Sequence, residues 1–564
     1  MTLEGELARW SRGWRGPAVA AFIAFLAGLP GLIAVPPLDR DESRFAQATA
    51  QMLESRDFVV IRYQEQPRFK KPVGIHWLQA ASVSLFSSPE ARQIWAYRIP
   101  SLIGAMLAAA ACAWGAAGFF GDEAGLLAGA MLGASFLLST EAFIAKTDAV
   151  LCGATTLAMA ALGRIYASAR GGPPAGRAAA MAFWAGLGVA TLVKGPVGPM
   201  VAALAVLALV VAERRAGWLA RLDAYWGLVL FLIIVGPWAG AVTVATDGGF
   251  WSSAVAGDLA PKLAGGQETH GAPPGYHTLL APILAFPMTL LLPAAAVTAW
   301  RRRGEPGVRF ALAWLIPTWL VFEALPTKLV HYTLPAYGAL AWLAGAALAQ
   351  PLGARARWLG AALQALAGLI LAAGVVYLMK LYGTGAEAPE AVLTAALLAA
   401  AGLVAAYLLV RRAPLKAAVS GLGLGLLGHA ALAAGLAPRL QPLWLSERVE
   451  DAMARAQLLP SQGLADAPVT VAGYAEPSLV FELGTDTELG DAEDAAAAMV
   501  EHRPAVVEAR EEPAFRKALA ADHAAAIPVA RIDGVDYSTG HKLSLRVYKA
   551  PDAPNGAEPG DSQP

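Results

Sequence analysis

The feature that most constrains this chain is a series of long apolar blocks repeating from Pro17 to Pro438. Each runs for about 17–25 residues between charged or Pro/Gly breaks, the length an α-helix needs to cross the hydrocarbon core of a bilayer. Cutting at those breaks predicts about thirteen transmembrane helices, near residues 17–35, 98–119, 123–140, 148–166, 178–195, 197–213, 224–244, 277–299, 309–325, 332–350, 357–380, 390–410 and 416–437. Composition agrees: 15% of residues are charged, where a soluble domain carries about 25%. A soluble-protein reading is excluded. Cys112 and Cys152 both lie in apolar segments, which argues against a disulfide framework or a cysteine-based metal site. A net charge of zero gives no sign of a nucleic acid or other polyanionic partner. Arg9, Arg12 and Arg15 precede the first block as they would in a signal peptide. The block is long for a cleaved segment and no small-residue cleavage site follows, so a retained helix is expected.

Loop charge sets the expected orientation. With the N-terminus inside, the inner loops carry Arg164, Arg170 and Arg177, then Arg214, Arg215 and Arg221, then Arg301, Arg302, Arg303 and Arg309, then Arg355 and Arg357, then Arg411, Arg412 and Lys416. The short outer loops carry single lysines, Lys146, Lys194, Lys262, Lys328 and Lys380. An odd number of helices then places the tail outside.

The expected division is a transmembrane domain over 1–440, including a long outer loop at 36–97, a soluble domain over 441–550 and a disordered tail over 551–564. Within the loop, residues 42–58 can form an amphipathic helix with Phe45, Ala48, Met52 and Leu53 on one side, suited to lying along the interface. The tail alternates between strand and helix patterns: VTVAGY at 469–474, an Ala-rich helix near 492–502, AVVEAR at 505–510, a helix near 512–523, then IPVARIDG and KLSLRVYKA. That reads as a small α/β domain. The fold class is therefore an all-α polytopic membrane domain with a small C-terminal α/β soluble domain.

Ionisable groups at membrane depth are costly, and each is a candidate for function. Those outside the inner loops collect on one face of the predicted topology: Asp39, Asp41 and Glu42; Lys70 and Lys71; Lys146 and Asp148; Lys194; His270; Lys328, His331 and Tyr332. Carboxylates can serve as bases or metal ligands, and lysines can hold a phosphate and stabilise it as it leaves. Both needs are met by a lipid-linked phosphate donor that enters from the bilayer. Asp41 and Asp148 are expected as exposed carboxylates at the membrane surface. His76, His277 and His331 are expected to be hydrogen-bonded or interfacial and His429 packed. Lys146 is expected to be structural or an ion partner. Trp77, Trp95, Trp238 and Trp251 read as an aromatic belt.

The segments DRDESRFAQATAQMLESRDFVV and QPRFKKPVGIHWL, followed by TEAFIAKTDAVL, TLVKGPVGPM, GGQETHGAPPGYH and PTKLVHYTLPAYGAL, resemble the membrane-embedded glycosyltransferases of the GT-C type. The similarity is strongest to the lipid A aminoarabinose transferase family and the wider dolichyl-phosphate-mannose protein mannosyltransferase group. It covers about residues 36–345. The resemblance implies that Asp41 is the acidic residue of the catalytic centre and Asp148 a second functional carboxylate. It implies a substrate-binding set of Arg44 and Lys71 near the donor phosphate, Lys194 of the Lys-Gly-Pro turn, His270 near the cavity, and Lys328 with Tyr332. One departure stands out. The position before the lysine-proline pair is often acidic in these enzymes and can bind a metal with the histidine, whereas here it is Lys70. No cofactor is therefore certain, and a divalent metal stays open.

The implied activity is transfer of a monosaccharide from a polyprenyl-phosphate donor to lipid A or another envelope acceptor, at the periplasmic face of the inner membrane. The competing class is a lipid-linked sugar transporter or flippase, and within the enzyme class a protein O-glycosyltransferase. No internal repeat of the transporter kind is visible, and the polar candidates lie at one face rather than the midplane.

Overall fold

A computed structural model describes residues 2–261, 271–462 and 468–551. His270 and the tail expected to be disordered beyond residue 551 lie outside the described residues. The chain divides into two compact units. One comprises Met1–Val35, Met52–Pro89 and Gln93–Arg439; the other comprises Pro36–Gln51, Glu90–Arg92 and Leu440 onward.

The first unit is helical. Each expected apolar segment has a helical counterpart, but not every segment is one straight span. Among the described residues, eight helices are long and apolar enough to cross a membrane alone, including Arg15–Ala34, Ile94–Phe120, Thr147–Ser168 and Pro306–Ala324. The segment at 277–299 is a pair of helices bent by 113°. That at 123–140 is two helices, Asp122–Gly133 and Phe136–Glu141. Val197–Glu213 and Leu334–Leu348 are shorter apolar helices.

Small residues let these helices approach closely, as packing in lipid requires. A Cβ on Gly104 would lie 2.6 Å from the Val150 backbone, and one on Gly153 would lie 2.4 Å from the Gly104 carbonyl oxygen. Ile94–Phe120 and Thr147–Ser168 therefore cross almost backbone to backbone. Arg98, fully buried in the first of these, donates to the carbonyls of Gly31, Leu32 and Val35. A buried cation is tolerable there because it satisfies the free carbonyls and negative dipole end of Arg15–Ala34.

The second unit holds the α/β domain. Its five-stranded sheet has the order Glu488–Gly490, Thr470–Ala472, Ala505–Glu508, His541–Lys549, Ile527–Asp536. The first three strands are parallel and the last two antiparallel to their neighbours. Strand alternation sorts the side chains into two cores. Val471, Val506 and Val547 face a cluster with Leu445, Val449, Met453 and Leu479. Ala472, Ala505, Val507 and Tyr548 face a second cluster with Ala495, Met499 and Phe515. Helices thus cover both faces, as a largely parallel sheet requires.

The loop expected at 36–97 is shared between the units. Its first part belongs with the sheet domain through specific polar bonds. Gln47 Nε2 donates to Thr485 Oγ1 at 2.8 Å, and Arg92 donates to both Gln47 Oε1 and Thr485 Oγ1. Asp39 accepts from Ser478 Oγ, and its backbone N–H donates to Tyr537 Oη at 2.5 Å. The expected amphipathic helix is present as Asp41–Ser55, with Asp41 and Glu42 in its first turn, where acidic residues complement the helix dipole.

Candidate active site

In the helical unit, a cavity of about 330 Å³ opens where five segments meet. The helix Arg177–Lys194 ends at Gly195, whose φ of 62° is a conformation glycine adopts without strain, and Pro196 prevents its continuation. Lys194 is thus the last helical residue, at the negative dipole end that favours a cation. Asp148 occupies the first turn of Thr147–Ser168, the opposite dipole end. The two meet directly, with Lys194 Nζ 2.5 Å from Asp148 Oδ1. The helix Gly74–Phe86 starts against the end of Arg177–Lys194: a Cβ on Gly74 would lie 2.7 Å from the Leu192 backbone carbon and oxygen. That approach brings Lys70, Lys71 and Pro72 into the wall of the same cavity. His331 and Tyr332 line it from the segment between Pro306–Ala324 and Leu334–Leu348, and the Tyr332 ring lies 5.5 Å from Lys194 Nζ. Leu151, Phe250, Trp251 and Phe322 make the remaining wall apolar.

The cavity is amphipathic. Its lining combines Lys70, Lys71, Lys194, Asp148 and His331 with hydrocarbon and aromatic side chains. Such a site can hold an anionic head group joined to an apolar chain.

Of the expected site residues, the structure brings together Lys71, Asp148, Lys194 and Tyr332. Lys328 is different: it is buried, and its ammonium donates to the Leu325 carbonyl just past the helix Pro306–Ala324. Asp41, exposed, and Arg44, partly buried, belong to the second unit on the helix Asp41–Ser55. Asp148 is corrected in one respect: it is 4% exposed, not an open surface carboxylate. Trp238 is also corrected. It is buried and donates to the Val59 carbonyl at 3.1 Å, so it is a packing residue rather than part of a belt. His277 is hydrogen-bonded to the Leu329 carbonyl, and His429 is packed between Phe136 and Phe143.

One participant escapes a sequence reading, and His331, expected only as hydrogen-bonded or interfacial, joins it. Glu141 is buried and pairs with Lys146; the signal for it is an acid inside an apolar run, five residues before a lysine. His331 stands 3.6 Å from both Glu141 and Asp148, and burial holds its imidazole well below the ordinary pKa. Lys70 offers an ammonium where a metal ligand would be needed, so the metal arrangement implied by the resemblance does not fit the residues present.

Residues 70–240 match the family described as dolichyl-phosphate-mannose-protein mannosyltransferase. The undecaprenyl phosphate-alpha-4-amino-4-deoxy-L-arabinose arabinosyl transferase of Pseudomonas paraeruginosa is 30% identical over 317 residues, 55% of this chain and 56% of that protein. The Edwardsiella ictaluri protein of the same name is 29% identical over 336 residues, 59% of this chain and 58% of its own length. The sequence matches thus span somewhat over half the length of these relatives. The crystal structure of ArnT from Cupriavidus metallidurans bound to undecaprenyl phosphate superposes with a TM-score of 0.73 at 22% identity, covering 94% of this chain and 96% of that one. The chain has the fold of that ArnT structure. With eight or more apolar spans in that fold, it is a multi-pass membrane protein.

Proposed function

We propose that the chain is a membrane glycosyltransferase that moves a monosaccharide from a polyprenyl-phosphate donor to lipid A or another envelope acceptor, at the periplasmic face of the inner membrane. The observation that carries this reading is the amphipathic cavity, lined by Lys70, Lys71 and the Asp148–Lys194 pair together with apolar and aromatic side chains. The arabinosyl transferases to which the chain is similar, and the undecaprenyl phosphate bound by the Cupriavidus protein, support the same donor chemistry.

The acceptor oxygen attacks the anomeric carbon from the side opposite the phosphate. A bond forms between that oxygen and carbon, the bond from the carbon to the phosphate oxygen breaks, and the configuration inverts. Lys71 and Lys194 stabilise the charge that grows on the departing phosphate, and Arg44 contributes to the same task. Asp148 keeps the Lys194 ammonium in place. Asp41 takes the proton of a hydroxyl acceptor; an acceptor phosphate, already ionised, needs no base. Tyr332 lies beside Lys194 in the donor site, and His270 and Lys328 complete the set that the resemblance suggests.

The test uses full-length protein in proteoliposomes, supplied with either a polyprenyl-phosphate monosaccharide or a nucleotide sugar. Transfer to a lipid or glycan acceptor is expected from the first donor and none from the second. Turnover with the nucleotide sugar as sole donor would overturn the reading, and movement of the lipid across the bilayer without transfer would favour a flippase.

A further inference from the structure

At the cavity wall, Asp148 and His331 together with the buried Glu141 each offer a ligand atom, and the three atoms lie within 4.8 Å of one another. Two carboxylates and an imidazole at that spacing are a donor set suited to a divalent metal ion. One Glu141 oxygen, Oε2, is buried and has no hydrogen-bond partner among the described residues.

A cation already stands among these groups. Lys146 Nζ is 3.0 Å from Glu141 Oε1, 3.4 Å from His331 Nδ1 and 3.8 Å from Asp148 Oδ2. Lys146 is only 9% exposed. Its backbone is fixed as well: Ser101 Oγ donates to its carbonyl at 3.2 Å, and its N–H donates to the Ile144 carbonyl at 2.7 Å. On the far side of Asp148, the other carboxylate oxygen takes Lys194. Among the described residues, these two carboxylates thus pair with two ammonium groups. A divalent ion added to this set would leave an uncompensated buried charge, which is strongly disfavoured.

We propose that Lys146 is the resident cation of this cluster, a tethered ammonium in the place of a metal ion. It neutralises Glu141 and fixes the Asp148 oxygen turned away from Lys194, so that the Asp148–Lys194 pair stays oriented toward the cavity. Lys146 does not line the cavity; it is a positioning residue and acts through Asp148. An ammonium donates hydrogen bonds and carries a single charge on a flexible stem, so it orients carboxylates without offering a coordination position to water or substrate. The positioning role rests on the proposed donor site; the occupancy of the cluster by Lys146 does not.

The experiment compares full-length wild type, Lys146→Met, Lys146→Arg and Lys146→Met/Glu141→Gln. Each is purified in detergent, stripped with a chelator, equilibrated with Zn²⁺, desalted and analysed for zinc per chain. Lys146→Met should hold one zinc more than wild type, because the donor set is then vacated by its own cation. Lys146→Arg should show no gain, and the double variant should lose it. Sugar transfer by Lys146→Met should fall more than about tenfold and recover in part as zinc fills the site, while wild-type transfer does not rise. A Lys146→Met protein with the wild-type zinc content overturns the proposal. Where that variant does not fold, Glu141→Gln decides: its zinc content should equal that of wild type, and a deficit of one ion would show that a metal is native to the cluster. If wild type transfers no sugar, the functional reading fails while the zinc measurements still decide the occupancy of the cluster.

Discussion

Asp41 and Asp148 are both acidic residues near the start of a helix, yet their surroundings predict different responses to the same substitution. Asp41 is exposed, and surface changes usually alter stability by under about 0.5 kcal/mol. Asp41→Asn should therefore leave the amount of folded protein unchanged while sugar transfer drops by about 100-fold or more, the usual scale for a positioned base. Near wild-type transfer at normal expression would remove Asp41 from the mechanism. Asp148 is buried between Lys146 and Lys194, and removing one partner of a buried ion pair costs about 3–5 kcal/mol. Asp148→Asn should lower both transfer and the thermal unfolding temperature, and an unchanged unfolding temperature would show that the pair contributes nothing to folding. Lys71→Ala should mainly weaken use of the donor, raising its KM by roughly 10- to 100-fold for loss of a charged hydrogen bond, with expression as for wild type.

Elements bring these residues together, and there the glycines matter more than the charges. Gly74 allows the helix that follows Lys70 and Lys71 to start against the Leu192 carbonyl. A methyl group there meets backbone on the neighbouring helix, which cannot rotate away. Gly74→Ala should cost about 1–3 kcal/mol, the usual range for overpacking, and raise the donor KM, because the two lysines retreat from Lys194. The measurements are thermal unfolding in detergent and donor titration; an unaltered KM would mean that this approach does not set the site. Periodicity makes such elements legible in the sequence: the apolar runs are helices, and VTVAGY, AVVEAR and KLSLRVYKA contain strands. It does not reveal where a run breaks. The turn at Ala134 and Ser135 and the bend within 277–299 lie in stretches whose composition stays apolar, so hydropathy reads straight through them. The strand Glu488–Gly490 is three residues at the edge of the sheet, too short for alternation to register. Lys71, Asp148, Lys194 and Tyr332, which line one cavity, were legible as candidates because each is polar in a place that penalises polarity. Lys146 was legible as an ion partner, but its partner Glu141 was not, since a buried pair is visible only once Phe136–Glu141 and Thr147–Ser168 fold against each other. Likewise, nothing local in residues 36–51 announces their bonds to Ser478, Thr485 and Tyr537.

For the molecule as a whole, pH and sidedness supply the decisive tests. Burial, opposed first by the Ser478 hydrogen bond and then reinforced by the carboxylates of Glu476 and Asp536, raises Asp39 from 3.8 to about 7. Burial together with Glu450 and Glu447 raises Glu482 to about 8. An acid whose folded pKa is raised binds its proton more tightly when folded. The stability it contributes is therefore full below about pH 4 and is lost as pH rises through 7 and 8. Hydrogen exchange in peptides from 527–549 of the full-length protein, corrected for intrinsic rates, should be slower at pH 5 than at pH 8. Asp39→Asn should remove part of that difference and leave the share due to Glu482; an unchanged slope would show that Asp39 is not the titrating group. Sidedness underlies the entire functional reading, because soluble nucleotide sugars are made in the cytoplasm and a polyprenyl-phosphate donor is the form of activated sugar available outside it. The positive-inside rule predicts inner loops at the arginine clusters 214–215, 301–303 and 411–412. Reporter fusions after Arg215 and Arg303 should accordingly report the cytoplasm, and a fusion after Glu450 should report the periplasm. A cytoplasmic signal from the Glu450 fusion would place the sheet domain, together with Asp39 and Asp41 to which it is bonded or linked in the chain, on the side where nucleotide sugars are made, and the polyprenyl-phosphate donor would no longer follow.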